Sequence, residues 1–506
     1  MRPAETERVM NVKHGVIRGT VSLGGARALV SAFNAVGIVI LARLLTPADF
    51  GIVAISTAVL GVTMALTEAS LQPALVQCEA PTREHLDTVW TMALIRASII
   101  FALFLIGAWP LSVIYGDPRL FQVLIVSGFT GAFMEFYNPR ITLATRGLEF
   151  RALAAFQIAQ KFGSLLTAIG LALVFRSFWA IVIGNAAGAL VVSLCSYVML
   201  PYRPRFTLAR SGEIWGFSKW MFLSQLCDTL NWRFDQLAIG LTVTKAQLGF
   251  YSVADNLSVI PSRELSTPIC SALFAGLTNL TGQREKLRSS FLRAQSAVAM
   301  VAVPAAVGLA LVAEPAVRLL LGERWIASAV LVQILAITYG LDMFVVAVRP
   351  LGMAMGQTRL LFVRQLVGLC IRIPLILIGL FTAGMIGAAL GRTIGNAINC
   401  LISFYMARQL LGISIREQFR RQAVTVAGVV AMAIVVLTLE AKFGALLAPS
   451  ALLSVVAFGA AGAVTYCGTI FALWLAGIRP GGTLADLAGA AASFLPVAIT
   501  RRTAPS

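Results

Sequence analysis

The chain has 506 residues, of which 58% are hydrophobic and only 12% carry a charged side chain. That leaves too few charges to coat a water-soluble globule of this size, so a soluble enzyme or binding domain is excluded. The net charge of +18 would suit nucleic acid only if the basic residues clustered on a soluble face; most lie instead in short loops between apolar stretches, and no nucleic-acid partner is expected.

Fourteen apolar segments follow one another, at roughly 19–42, 48–70, 87–109, 120–138, 152–174, 177–199, 215–242, 247–278, 293–313, 327–348, 360–381, 383–406, 422–439 and 451–476. Stretches of about 20 residues span a bilayer as helices, whereas barrel strands would be about ten residues of alternating character. The expected fold is an all-α integral membrane protein of about 14 transmembrane helices. The first segment is too long for a signal-peptide core and lacks a clear cleavage site, so it is expected to be retained. With the N-terminus inside, the inner loops and tails hold 26 of the 40 basic residues and the outer loops 7. This sorting predicts that both termini are cytoplasmic.

Two phrases recur. Thr46-Pro47-Ala48-Asp49-Phe50-Gly51, between the first and second segments, returns 198 residues later as Thr244-Lys245-Ala246-Gln247-Leu248-Gly249, between the seventh and eighth. Ile183-Gly184-Asn185-Ala186 in the sixth segment returns unchanged as Ile394-Gly395-Asn396-Ala397 in the twelfth. Six helices separate each pair, and an even number restores orientation. The expectation is two parallel repeats about an axis along the membrane normal, an N-lobe at 1–205 and a C-lobe at 206–412, with the last two helices and a tail at 413–506 outside the repeat. Gly51 and Gly249 are also explained by a tight turn at a helix start.

The longest loops, such as 71–86, 200–214, 407–421 and 314–326, are only about 15 residues, which leaves little room for chemistry outside the membrane. There is no phosphate-loop motif for ATP. The seven cysteines are scattered without a CxxC pair, and His14 and His85 lack metal-ligand spacing, so neither a disulfide framework, a metal nor another cofactor is expected.

A charge inside a spanning helix costs roughly 2.5 to 3.5 kcal/mol on insertion scales, so it normally faces a partner or a watery cavity. Seven cations fall inside segments: Arg27, Arg96, Lys161, Arg233, Arg263, Arg372 and Arg392. Glu68 and Glu135 lie near segment ends, which leaves the first half's Arg27, Arg96 and Lys161 under-compensated. In the second half, cations meet Asp228, Asp235, Asp255, Glu264 and Asp342, as expected of ion pairs or of a site that loads a proton or cation. Ser224, Asp228, Asn231 and Asp235 share one helical face, and so do Arg392, Asn396, Asn399 and Ser403. Such stripes either line a shared aqueous cavity or hydrogen-bond between helices. Pro261, Pro268 and Pro374 mark places where a helix is expected to kink, either as a hinge or as bent packing without motion.

Leu41 through Gly51 (LARLLTPADFG), Arg146 through Arg151 (RGLEFR), and Asn231 through Gly240 (NWRFDQLAIG) followed by Leu248-Gly249-Phe250-Tyr251 resemble Wzx-type polysaccharide flippases, particularly their exopolysaccharide branch. The resemblance spans most of the chain, the last two segments contributing only length and hydropathy. It implies two six-helix lobes plus two helices, the fold of multidrug extruders and the lipid II flippase. It also implies transport, not catalysis, of an undecaprenyl-pyrophosphate-linked oligosaccharide across the bacterial inner membrane, for exopolysaccharide, capsule or O-antigen. A polysaccharide polymerase and co-polymerase are possible partners beside the lipid-linked substrate and the bilayer itself. The family has no invariant motif from which site residues transfer. The residues themselves nominate Arg27, Arg96 and Lys161 for the pyrophosphate. They nominate Ser224, Asp228, Asn231, Asp235, Asp255, Arg263, Asp342, Arg372 and Arg392 for sugar contact or ion coupling. A lipid II flippase, a cation-coupled drug extruder and a membrane polymerase or ligase are the alternatives.

Overall fold

Every regular element in the computed structural model is a helix, and the model describes residues 29–68, 71, 75, 81–146, 150–212, 219–278, 280, 282–447 and 449–476. In chain order these are α1 (Leu29–Leu44), α2 (Pro47–Leu66), α3 (Arg83–Ile114), α4 (Arg119–Glu135), the short α5 (Arg140–Arg146), α6 (Phe150–Phe175), α7 (Trp179–Met199), α8 (Lys219–Thr242) and α9 (Lys245–Thr278). They continue as α10 (Arg284–Leu311), α11 (Ala313–Leu320), a 3-10 turn (Glu323–Ser328), α12 (Ala329–Met343), α13 (Val348–Ala354), α14 (Thr358–Leu411), α15 (Ile415–Leu447) and α16 (Ala451–Leu475).

Among the described residues nine helices are long and apolar enough to cross a membrane. Each of the fourteen expected segments contains a helix. The two numbers differ for physical reasons. α1 and α4 are short, polar stripes lower the hydropathy of α8 and α9, and α14 contains two segments in one continuous assignment. Within α14 the backbone leaves helical geometry at Ala383 and at Gly384, whose φ of 59° is the left-handed conformation that glycine adopts without strain. Across this break Gly379 faces Gly387, Leu375 faces Gly391 and Arg372 faces Gly395, so the arms 358–382 and 385–411 run antiparallel. Pro261 and Pro268 sit inside α9, Pro374 sits inside the first arm of α14, and the assigned helix runs on through each.

The chain divides into two compact units, interleaved in sequence. One comprises Met1–Ile260, Leu320–Leu331 and Phe362–Gly395; the other comprises Pro261–Leu319, Val332–Leu361 and Asn396–Ser506. In the first, α3 pairs with α4, α6 pairs with α7, and α2 packs on α8 and α4. Helix starts are fixed by side chains: Thr82 caps α3, its hydroxyl meeting His85 Nδ1 at 2.7 Å, so His85 serves the fold. In the second, Leu277, Phe291, Val348, Leu351, Phe404 and Ala407 form one apolar core. There α15 and α16 pack together against α10, where the Tyr466 hydroxyl donates to Met300 O at 2.7 Å.

Candidate functional site

The first repeated phrase makes one structure twice, within the first unit. Thr46 caps α2: its backbone N–H donates to Asp49 Oδ2 at 2.9 Å, while the Asp49 N–H donates back to Thr46 Oγ1 at 3.3 Å. Thr244 caps α9 in the same way: its N–H donates to Gln247 Oε1 at 3.1 Å, and its Oγ1 accepts from the Gln247 N–H at 3.3 Å. The two helix starts then cross. A methyl group on Gly51 would collide with the Lys245 carbonyl oxygen, and one on Gly249 would collide with the Pro47 carbonyl oxygen. Residue 47 corresponds to 245 and residue 51 to 249, so the contact is reciprocal, as a two-fold axis between parallel repeats requires. Both glycines are therefore kept small by the approach of a second helix, not by a turn of their own.

Trp325 closes this crossing. It is fully buried, its Nε1–H donates to Ala42 O at 2.8 Å, and its ring stands edge-on to Phe50 and Phe250 at 5.2 and 5.8 Å. Charges surround the same end of the unit. Lys245 Nζ donates to Tyr115 O at 2.9 Å, and Asp117 accepts from the Arg119 backbone N–H, Nε and Nη2 at 3.0, 3.0 and 2.8 Å. Burial pushes the Asp117 carboxyl upward, but these hydrogen bonds and the charges of Arg119 and Lys245 hold it below the ordinary carboxylate range. Burial pushes the neighbouring Tyr115 phenol up to about 12.

The polar stripe of α8 turns toward α9 and both arms of α14. Arg392 Nη1 bridges Asp235 Oδ2 at 2.7 Å and Asp255 Oδ1 at 2.8 Å, and Tyr251 donates to Asp235 at 2.6 Å. Arg372 stands 4.0 Å from the same Asp235 carboxylate. Side chains of Asp235 and Arg392 are only 1% and 2% exposed, so these members of the stripe form an internal ion cluster. Toward the start of α8, Gln365 donates to Asp228 Oδ1 at 2.7 Å and Asn231 donates to Gln365 O at 3.3 Å, with the half-buried Ser224 one turn before Asp228. Tyr251 and Gln365 are absent from the sequence-derived candidates. For Tyr251 a signal existed: it lies four residues before Asp255, on the same helical face.

The first-half cations separate. Arg96 on α3 meets Glu68 Oε2 at 3.2 Å, Glu135 Oε1 at 3.1 Å and the Met64 carbonyl at 2.9 Å. The expectation that Arg96 lacks compensation is corrected: the two glutamates end α2 and α4 where the middle of α3 passes them. Lys161 on α6 is half-buried and has no ion-pair partner among the described residues, while Ser164, one turn on, meets Asn185 at 3.4 Å. Arg27 lies outside the described residues. Arg263 and Asp342 belong to the second unit, Arg263 exposed and Asp342 half-buried. That unit also holds a cavity of about 460 Å³ between α10, α15 and α16. Met300, Pro304, Gly308, Met432, Phe458 and Gly462 are among its lining, and no charged side chain is, so it suits hydrocarbon and not phosphate.

The second repeated phrase also keeps a structural role. Gly184 on α7 lies against Ser164 and Ala168 of α6, and Gly395 on the second arm of α14 lies against Arg372 of the first. In both halves a small residue lets the fifth and sixth helices approach. Their asparagines differ: Asn185 faces Ser164, while Asn396 donates to Thr338 O at 3.3 Å.

Comparison with known proteins agrees with this architecture. The chain is 25% identical over 424 residues to lipopolysaccharide biosynthesis protein WzxC of Escherichia coli, covering 81% of this chain and 84% of that protein. It is 25% identical over 431 residues to succinoglycan biosynthesis transport protein ExoT of Rhizobium meliloti, covering 84% and 87%. Among solved structures, its fold matches lipid II flippase MurJ in an inward closed conformation with a TM-score of 0.74 at 12% identity, over 91% of this chain and all of that one. An inward-facing multidrug transporter of the MATE family matches with a TM-score of 0.63 at 16% identity, over 76% and 94%. Residues 40–330, more than half the chain, match the polysaccharide biosynthesis protein family, and the chain is a multi-pass membrane protein belonging to that family.

Proposed function

We propose that the chain is a flippase that moves an undecaprenyl-pyrophosphate-linked oligosaccharide from the inner to the outer leaflet of the bacterial inner membrane, for exopolysaccharide, capsule or O-antigen assembly. The observation that carries this reading is the relationship to WzxC and ExoT across more than four-fifths of each chain, joined to the fold of MurJ. Both termini are cytoplasmic in this reading, and the lobes at 1–205 and 206–412 alternate access about the axis between Gly51 and Gly249. No catalytic step is assigned, because transport needs none. A polymerase and co-polymerase would receive the product on the far side.

Arg27, Arg96 and Lys161 are the proposed pyrophosphate contacts. Lys161 fits best, being half-buried in a spanning helix and without an ion-pair partner among the described residues. Arg96 would reach phosphate only by exchanging it for Glu68 or Glu135. Ser224, Asp228 and Asn231 are the proposed sugar contacts. Asp235, Asp255, Arg372 and Arg392 are proposed to fix the second lobe's charge, because the arginines already occupy the carboxylates that a coupling ion would need. Arg263 and Asp342 remain proposed polar contacts of the second unit.

The test is transport of a fluorescent lipid-linked oligosaccharide in proteoliposomes. The triple variant Arg27→Gln, Arg96→Gln, Lys161→Gln should lose flipping, and Lys161→Gln alone, which breaks no ion pair among the described residues, should lose much of it without a change in thermal unfolding; intact flipping by the triple variant would remove the phosphate assignment. Deletion in the native host should leave a lipid-linked repeat unit on the inner leaflet; accumulation of lipid II instead would favour the lipid II reading.

A further inference from the structure

Residues 200–210, which follow α7, are tied down by hydrogen bonds. Asn138 donates to Ser196 O and Leu200 O where α7 ends, and Arg140 Nη1 donates to Pro201 O at 2.8 Å with its guanidinium 5.6 Å from the Tyr202 ring. From there residues 202–210 are held against α3 by side chains on one helical face. Asp87 accepts from the Tyr202 hydroxyl and from the Arg205 N–H at 3.2 Å, Thr91 accepts from the Thr207 N–H at 3.1 Å, and Thr88 accepts from the Arg210 N–H at 3.4 Å. Arg83 Nη2 donates to Arg203 O at 3.3 Å. An extended chain without helix or sheet is thereby given a fixed shape.

That shape presents five guanidinium groups, on Arg83, Arg140, Arg203, Arg205 and Arg210. Among the described residues, Glu84 pairs with Arg210 and the buried Asp87 lies 3.8 Å from Arg83. The exposed Arg203 and Arg205 side chains have no ion-pair partner among the described residues. The same segment carries two exposed apolar side chains. Phe206 is 75% exposed yet stacks edge-on to Trp90 at 5.3 Å, and Leu208 is half exposed. Trp90 in turn donates to the Tyr197 hydroxyl at 2.8 Å. Tryptophan and tyrosine paired at a helix end mark the depth where hydrocarbon meets head groups, and this end is the one the charge census assigns to the cytoplasm.

We propose that residues 201–210 form an interfacial strap that binds the phosphates of anionic phospholipids in the inner leaflet. Arg203 and Arg205 hold phosphate oxygens, Arg83 and Arg140 lend charge from fixed positions, and Phe206 and Leu208 enter the acyl boundary beside them. Since the strap links the two repeats, bound lipid would fix the membrane depth of their connection.

The test uses the full-length purified protein, exposed to equimolar phosphatidylglycerol and phosphatidylcholine, with retained lipids counted by native mass spectrometry. The wild type should prefer phosphatidylglycerol. The variant Arg203→Gln with Arg205→Gln should lose about thirtyfold of that preference, the effect of removing two basic residues beside an anionic surface. Arg203→Lys with Arg205→Lys should keep most of it, which separates lost charge from lost folding. Equal retention of the two lipids by the wild type, or an unchanged preference in the glutamine variant, overturns the proposal. A further arm adds undecaprenyl pyrophosphate. If it displaces phosphatidylglycerol from the wild type and fails to bind the glutamine variant, the strap serves the transported lipid and the phospholipid assignment is wrong.

Discussion

At the scale of single residues, the charges inside the first unit differ by how much of their valence is already used. Arg392 satisfies two carboxylates at once in surroundings that exclude water, so it cannot be removed without stranding them. Arg392→Met should therefore destabilise the protein by about 3–5 kcal/mol, the cost of breaking a buried ion pair from one side. Adding Asp235→Asn and Asp255→Asn to that variant should restore part of the loss, because neutral amides need no counter-charge. Thermal unfolding in detergent reads both outcomes, and a triple variant no more stable than Arg392→Met would show that the cluster is not electrostatic in origin. The charges themselves were legible in the sequence, as were the stripes on α8 and α14. Their partners were not. Spacing along one helix says which residues share a face, but it is silent on which helix that face meets, so Glu68 and Glu135 read as end groups and their convergence on Arg96 stayed hidden.

At the scale of elements, the crossing of α2 and α9 explains the repeated phrase more fully than a turn does. Two helix starts approach so closely that each admits no side chain at one position, and the obstructing atoms are backbone carbonyls, which cannot swing aside. Gly51→Ala and Gly249→Ala should each cost about 1–3 kcal/mol, the usual range for overpacking. Because the contact is reciprocal, the two costs should be similar. The double variant should cost less than their sum, since the separation forced by the first methyl makes room for the second. Strict additivity in thermal unfolding would mean that the helices relax independently and that the crossing is not shared. The phrase made the repeat legible, but the reason for its glycines needed the second helix. Trp325 gave no signal at all, being a lone aromatic in a stretch with no periodicity, although α11 and the 3-10 turn carry it into the seam beside Phe50 and Phe250.

At the scale of the whole molecule, the proposed cargo and the membrane potential determine the direction of transport. A pyrophosphate head group carrying roughly two negative charges, moved outward across a membrane with an inside-negative potential of about 100 mV, gains on the order of 4.6 kcal/mol. No nucleotide-binding motif stands in the chain to supply energy by another route, and the carboxylates of the second-half cluster, Asp235 and Asp255, are paired with Arg392. Flipping in proteoliposomes should therefore respond to an imposed potassium diffusion potential. With the cytoplasmic face negative, the head group should accumulate on the opposite leaflet; with the potential reversed, accumulation should fall, and at zero potential the two leaflets should equilibrate. Collapsing a proton or sodium gradient at fixed potential should leave the distribution unchanged. A distribution that follows either ion gradient and ignores the potential would show that a coupled ion drives transport, and it would return Asp228, whose Oδ1 accepts from Gln365, to consideration as the ion's ligand.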